Sequence, residues 1–483
     1  MAEEEKGNAL DAVLEGVAGG IVSFFEPSHG EKEGFAKFFD TWFGIESWVK
    51  WVGDKGISRG TFLIALFFPL FIAGIQLLPN FGTLVFSWLF FGFPVISIVG
   101  LAVGFWAAWF WYIQSYYVFT RTNPVLLEIK MPTEITKSPR AMEQVITSFW
   151  IRSGTTTEID RNWFGGMNPY ASLEICSFGG EIHFYIWLRK SYKNIIEAAM
   201  YAQYPEVEIV EVEDYASKFE YDPAKHNCFV TDYVYDNYHQ KGGTTDVYPI
   251  KTYVDFELDK DPKDEHLVDP YASILEVLSA YNKDEQGWIQ IVIKGYFGKE
   301  WQKKVHTEVE AIRKAASEQT DIVDGHEVKK IGFPRPTEEQ KEQMTAMDRQ
   351  LSKLIFDVGA RGIYIAPAGK MRSAEYTALR WIWRPFNNPN YLNALRPRRA
   401  HNDFDYLWQD WNGVRYNLWT RRYFDMYRRR QFFHSPWNIV DPPIHMSTEI
   451  LATLWHPPAT PTKPPGLQRI PVAKSEAPPN LPM

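Results

Sequence analysis

Cysteine is nearly absent from this chain: there are two in 483 residues, Cys176 and Cys228, in neither a C-x-x-C pair nor a metal-ligand spacing. A disulfide-stapled fold is excluded, and both thiols fit a reducing compartment as small apolar residues. No G-x-x-x-x-G-K-[ST] occurs, and "GYFGKE" and "APAGKM" lack its spacing, so no phosphate-cradling loop is encoded. H-E-x-x-H, paired His/Cys ligand spacings and the G-x-S-x-G elbow are missing too. No catalytic residue, cofactor or metal is therefore expected, and the chain reads as non-enzymatic. A net positive charge is also lacking. A net charge of -8 and a pI near 5.8 give no bulk attraction to nucleic acid or anionic lipid, so any such contact must come from a local patch. A signal peptide is excluded, because the first apolar run begins about 60 residues in and no small-residue cleavage site follows it.

What the chain has in quantity is aromatic and apolar surface. Aromatic residues make up 16%, with 19 Trp, and much of this lies in the first quarter, which points to a membrane interface. Residues 60–78, "GTFLIALFFPLFIAGIQLL", carry no charge and match the thickness of a hydrocarbon core as a helix, with Pro69 tolerated there. "LPNFG" marks a tight turn, and residues 83–119 form a second uncharged run ending in "FWAAWFWYIQSYYVF". That run exceeds one span, so tilt, a kink near Pro94 or exit into the headgroups must absorb the excess. A two-helix transmembrane hairpin over 60–119 is expected. Lys50, Lys55 and Arg59 before it, and Arg121 and Lys130 after it, put both ends in the cytoplasm by the positive-inside bias. In the preceding region, 1–59, residues 34–53 place aromatics at spacings of three and four, as in an amphipathic helix lying in the interface plane. A soluble core helix is the alternative. Trp42, Trp48, Trp51, Trp106, Trp109 and Trp111 are the expected membrane-interface anchors.

After Arg121 the periodicity changes. "PVLLEIKM" reads as a strand and "SPRAMEQVITSFW" as a helix, with Ser138 as cap and Pro139 in the first turn. "ASLEICSF" and "EIHFYIWL" are strands around a "GG" hairpin turn, "SYKNIIEAAMYAQYP" is a helix and "EVEIVEVEDY" a last strand. The order β-α-β-β-α-β is that of a ferredoxin-like unit over 120–245. A second such unit over 246–395 is expected to start with the strand "IKTYVDFEL" at 250–258. A helix at 269–281 and a strand at 287–296 follow, then charged helices near 301–317 and 338–356 as an insertion, then the strand "RGIYIAP" and a helix at 373–383. The fold class is thus α+β: a transmembrane hairpin, two ferredoxin-like halves, and a helical and Pro-rich extension. "RPFNNPNYLNALRP", 384–397, reads as a rigid polar connector whose Asn side chains satisfy loop backbone while Pro389 and Pro397 limit its freedom; a ligand-binding loop is the alternative. Region 396–456 is Arg- and aromatic-rich, and 457–483 is a Pro-rich tail. In "TRRYFDMYRRRQFFH", Arg421, Arg422, Arg428, Arg429 and Arg430 alternate with aromatics that include Tyr427. These six residues are candidates for contact with a partner protein, anionic lipid or nucleic acid. The plainer alternative is a solvated or partner-facing helix whose aromatics are core.

The segments "LLEIKMP", "AQYPEVEI", "DPYASILEVLSAYNKDEQGWIQIVI", "VGARGIYIAP", "FNNPNYLNALRP", "DYLWQDWNGVRYNLWTRRYFDMYRRRQFF", "STEILATLWHPP" and "EAPPNLP" occur in this order over roughly residues 60–482. Together they resemble the membrane-anchored amino-terminal region of type IV secretion or conjugation-related proteins of candidate-phyla bacteria (Patescibacteria). The resemblance implies a bacterial inner membrane with the soluble domains cytoplasmic. In many members a segment like "EAPPNLP" leads into a DNA-translocating ATPase domain. This sequence reaches Met483 with no Walker motif, so no ATP hydrolysis is carried over. The function implied is a scaffold that docks or positions a separate translocation ATPase. Membrane lipid and further copies of the chain are additional partners, and any contact with DNA is indirect. A nucleic-acid-binding membrane module guiding DNA to the machine is the alternative.

Overall fold

The computed structural model describes residues 69, 72, 76, 80–132, 135, 137–152, 157–236, 246–259, 269–323, 326–331, 333, 335–399, 410–433, 443–458, 466, 467, 469 and 470. The interfacial region 1–59 with Trp42, Trp48 and Trp51, nearly all of the first expected span and most of the Pro-rich tail lie outside these residues. The chain divides into two compact units, one of residues 1–104, 241–243 and 403–412, the other of the remainder.

The described part of the first unit is dominated by the start of helix α1, Phe81–Tyr116, whose 36 residues carry no charge and continue through Pro94. Phe86, Trp88, Ile98 and Leu101 are all exposed on it. The stretch Ser97–Arg121 is long and apolar enough to cross a membrane, by length and composition, and no other described helix is. A π-helical turn, Tyr117–Arg121, closes it, and Thr122 donates its hydroxyl to the Val118 carbonyl at 2.6 Å.

In the second unit, β1 (Pro124–Pro132), α2 (Pro139–Thr147) and the short α3 (Glu158–Asn162) lead to the hairpin of β2 (Tyr170–Phe178) and β3 (Glu181–Arg189). Gly179 and Gly180 turn that hairpin at φ +63° and +90°; a Cβ on Gly180 would meet the Ser279 carbonyl oxygen at 2.9 Å. Next come α4 (Lys193–Gln203), β4 (Glu208–Val212), α5 (Tyr215–Lys218), β5 (His226–Tyr235), α6 (Tyr271–Ser279) and β6 (Gln286–Gly295). An excursion follows, built of α7 (Glu300–Ser317), the separate hairpin β7 (Glu318–Val323) and β8 (His326–Ile331), and α8 (Glu338–Leu351). The chain returns as β9 (Ile355–Pro367), α9 (Ser373–Arg380) and β10 (Leu395–Arg399), then α10 (Val414–Arg428), β11 (Ile444–Ser447), α11 (Thr448–Leu454) and β12 (Arg469–Ile470).

Ten strands make one sheet in the order β10-β5-β9-β6-β2-β3-β1-β12, with β4 also on β1 and β11 on β9. Every pairing is antiparallel except β1 with β12. The central strands read as near-continuous apolar runs because both faces are covered, which needs hydrophobic residues at odd and even positions alike. Leu173, Ile175, Ile186 and Ile291 pack into a core with Ile146, Met200, Leu275, Leu379 and Leu451 from five helices. Residues of opposite parity, among them Cys176, Tyr185, Trp187, Trp288 and Ile363, pack with Phe424 and Tyr427 of α10.

Among the elements that differ from the sequence expectation, two have a clear physical cause. "IKTYVDFEL" is not a strand: residues 253–259 form turns, because the Asp255 carboxylate accepts the Thr252 N–H at 2.8 Å and draws the chain round. Its Ile250, Tyr253 and Leu258 are buried all the same, and the strand at this point of the sheet is β5. The stretch "LRPRR" at the end of the polar connector is itself a strand, paired among the described residues with β5 at the end of the sheet order, where the missing N–H of Pro397 is tolerated.

Candidate functional site

On α10, Tyr416, Thr420, Tyr423, Phe424 and Tyr427 recur at helical spacing and form one face; Thr420 and the last three are buried on the sheet. The helix ends in a Schellman arrangement, with the Gln431 N–H on the Met426 carbonyl at 3.0 Å and the Arg430 N–H on the Tyr427 carbonyl at 2.9 Å. The left-handed position such an end requires usually goes to glycine. Here it holds Arg430, at φ +49°.

The reason lies beneath it. Asp232, Arg361, Gln290 and Glu174 are consecutive register partners across β5, β9, β6 and β2, so they form one polar row over the sheet centre. Each binds α10 or the turn after it. Tyr423 donates its hydroxyl to Asp232 at 2.8 Å, Arg361 donates to the Gln431 carbonyl at 2.8 Å, and Gln290 donates to the Tyr427 carbonyl at 3.2 Å. Arg430, with 0% of its side chain exposed, grips both oxygens of the fully buried Glu174 at 2.9 and 3.1 Å and both oxygens of Asp214 at the start of α5. Ser172, Gln290 and Tyr215 donate to Glu174 as well, at 2.7, 3.0 and 2.7 Å. Burial opposes the Arg430 charge, but the two carboxylates outweigh it and hold the guanidinium well above its ordinary pKa. Burial likewise pushes the Asp214 carboxyl up, and Arg430 reverses this, leaving it below the usual range. The Cys176 thiol beside the node is pushed up by burial, as are the Tyr215 and Tyr427 phenols. They are neutral packing groups.

Above this node, α10 and residues 216–221 enclose a cleft of about 490 Å³, within the range of ligand pockets. Aromatic rings back its floor: Phe219, Trp288, Phe424 and Tyr427. Lys218, Arg421 and Arg428 stand on the rim together with Glu220 and Asp425. Arg428 is paired with Asp425 at 2.8 Å and Lys218 with Glu213 at 2.5 Å, whereas Arg421 has no ion pair among the described residues. The cleft therefore offers a base backed by aromatic rings, one cation with no ion pair among the described residues, and a mixed-charge edge. Such a surface suits side-chain recognition. Among the described residues no three His, Cys, Asp or Glu side chains are grouped to hold a metal ion.

The structure brings three of the six arginine-cluster candidates to this cleft and separates the others. Arg421 and Arg428 are on its rim, and Tyr427 backs its floor. Arg422 is exposed on α10 itself, over the Trp419 ring at 5.6 Å, and Arg429 lies over Trp111 at 5.5 Å while pairing with Asp425 at 3.0 Å. Arg430 is a correction to the sequence reading: it is fully buried with its guanidinium spent on Glu174 and Asp214, so it does not meet lipid, nucleic acid or a partner directly, whereas Tyr427, also buried and with its hydroxyl on that of Tyr215, lines the cleft. Trp106, Trp109 and Trp111 lie on the last turns of α1, with Trp106 and Trp111 exposed and Trp109 partly covered by α3. Glu174, Asp214, Lys218 and Trp288 were invisible to pattern reading. Glu174 and Asp214 lie 256 and 216 residues from the arginine they bind, and each of the four sits inside an ordinary strand, short helix or cap.

No protein-family model matches this chain, and no curated protein does.

Proposed function

We propose that this chain is a membrane-anchored, non-enzymatic docking scaffold of a type IV secretion or DNA-transfer machine, positioning a separate translocation ATPase on the cytoplasmic side of a bacterial inner membrane. One observation carries it. The charge-free helix α1, with its large apolar side chains exposed, continues directly into the strands of a sheet unit that bears a ring-floored, mixed-charge cleft. A helix apolar on all sides needs either protein or lipid around it. A unit tethered by such a helix is placed to receive something from the cytoplasm.

The sheet is read as two ferredoxin-like halves joined through β2 and β6. Support comes from the order β4-β1-β3-β2 on one side and β10-β5-β9-β6 on the other, all antiparallel, with α2 and α4, then α6 and α9, in matching places. The second half then begins at β5, ahead of residue 246. It contains α7, β7, β8 and α8 as its insertion.

The edge of the cleft favours protein over nucleic acid. A phosphate-tracking groove needs several cations free of competing carboxylates, and here Glu220 and Asp425 share the rim while Arg428 and Lys218 are engaged. Arg421 is the group left to anchor an acidic side chain of the partner. With the full chain in lipid nanodiscs, titration with a purified type IV secretion translocation ATPase from the same cells tests this. Binding should weaken about tenfold for Arg421→Glu, as for a peripheral hot-spot arginine. Tighter binding of single-stranded DNA, falling steeply with salt and lost in the same variant, would favour the nucleic-acid reading instead. Indifference of ATPase binding to Arg421→Glu overturns the assignment of the cleft.

A further inference from the structure

Between α2 and β2 the chain makes a short spur, "TEIDRNWFGG", with α3 at its centre. Three large apolar side chains on it are exposed: Ile159 is 62% exposed, Trp163 56% and Phe164 51%. Scattered exposed hydrophobics are ordinary, but three within six residues that cover no core of their own make a patch that requires an occupant.

The spur is fixed against the last turns of α1. Trp109 donates its indole N–H to the Asn162 carbonyl at 3.1 Å, and the Trp163 ring lies 5.8 Å from that of Trp109 and 6.4 Å from that of Trp106. The Arg121 guanidinium sits over Phe164 at 5.9 Å. Gly165 seals the contact: at φ +68°, a Cβ there would lie 2.4 Å from the Ile113 carbonyl oxygen, so only glycine lets the loop lie this close. The end of α1 met by the spur differs in kind from the rest of the helix. Trp106, Trp111, Tyr112 and Tyr116 are exposed, while Ile113, Gln114 and Val118 are buried in the sheet unit, so the lipid-facing part of α1 must end at this level. Exposed Trp and Tyr at such a boundary are suited to headgroups, where the ring body is apolar and the N–H or O–H is wet.

We propose that Ile159, Trp163 and Phe164 insert into the headgroup region of the phospholipid bilayer beside α1, forming a second, interfacial attachment. This rests on the reading of α1 as a membrane helix. Connection through the end of α1 alone leaves the unit free to rotate about that helix's axis. A rigid apolar spur at one side of that helix allows one orientation, which fixes the direction in which the cleft faces. Glu158 and Asp160 lie at the start of α3 and Arg161 near its end, a mixed set compatible with zwitterionic headgroups.

The test uses the full chain in phosphatidylcholine/phosphatidylglycerol liposomes, with single reporter cysteines carrying an environment-sensitive fluorophore at Trp163→Cys and, within α1, at Ile98→Cys. Cys176 and Cys228 are buried and burial raises both thiols, so they stay unlabelled under native conditions. The reporter at 163 should emit blue-shifted light and be quenched by headgroup-level spin-labelled lipid at least about twofold more than by acyl-chain-level lipid, with the reverse order at 98. Water-like emission at 163 with lipid quenching at 98 overturns the spur proposal and leaves the membrane helix standing. Blue-shifted emission at 163 that no lipid label quenches overturns it too, in favour of cover by protein. Water-like emission at both positions removes the membrane reading and the spur with it.

Discussion

At the scale of single residues, Arg430 shows how a buried charge dictates local backbone. A non-glycine residue in the left-handed region costs on the order of 1 kcal/mol, and a buried ion pair is not by itself strongly stabilising. The position nevertheless holds arginine, because only its fork reaches Glu174 and Asp214 together. Arg430→Met should therefore destabilise the chain by about 3–5 kcal/mol, since the buried Glu174 carboxyl group loses its cationic partner; adding Glu174→Gln should recover part of the loss. Denaturant unfolding of the detergent-solubilised chain, followed by Trp fluorescence, measures both. A smaller node predicts a pH dependence. Glu285 is partly opposed by burial, but Arg372, the Asn282 N–H and Tyr364 bind its carboxylate and lower its pKa from 4.5 to about 2. The unfolded chain thus binds the proton more readily, so this stabilisation is complete above about pH 4.5 and is lost as pH falls towards 2. Glu285→Gln should flatten that acid limb of the stability curve by on the order of 2 kcal/mol, allowing for solvent around Arg372. Neither node could be read from sequence, because charge patterning along one helix does not reveal which arginine points at a carboxylate two strands away.

At the scale of elements, legibility followed how local the determining forces were. The "GG" hairpin, the helix opened by Pro139 and the strands β2, β3 and β6 were readable, since turn chemistry and apolar runs specify them in place. The polar connector was readable in its chemistry as well: Asn387 donates to the Leu395 carbonyl at 3.2 Å and accepts its N–H at 2.8 Å, and Asn393 donates to the Tyr248 carbonyl at 3.0 Å. What failed was "IKTYVDFEL", whose alternation is as good as that of β5 but which one side-chain bond from Asp255 turns aside. Strand β10 failed as well, hidden by a proline that only an edge position permits. For α10, the aromatic face was legible and the fate of each arginine was not. The structure separates them: Arg421→Gln with Arg422→Gln should change stability by less than about 1 kcal/mol, because both side chains are exposed and neither is ion-paired among the described residues. Arg429→Gln, which leaves Asp425 and the Trp111 ring, should cost more than either single change. Thermal unfolding of the three variants checks the ranking.

At the scale of the whole molecule, a charge-free helix, a ten-stranded sheet and a mixed-charge cleft lie on one continuous chain, and the account stands on their acting together as a membrane-borne docking platform. The apolar helix was plain in the sequence, because about twenty uncharged, mostly apolar residues in a row are the length and polarity that a bilayer core demands of a helix. The cleft was not, since it exists only when residues 216–221 and α10 meet across the sheet. Platform and cleft can be tested in one measurement: flotation of the purified partner ATPase with liposomes that carry the full chain, on a density gradient. The account predicts that the ATPase rises with wild-type proteoliposomes, stays at the bottom with empty liposomes, and is largely lost from the floated fraction with Arg421→Glu proteoliposomes in which the chain itself still floats. If the chain fails to float, or the ATPase rises equally with wild-type and Arg421→Glu proteoliposomes, the account is contradicted.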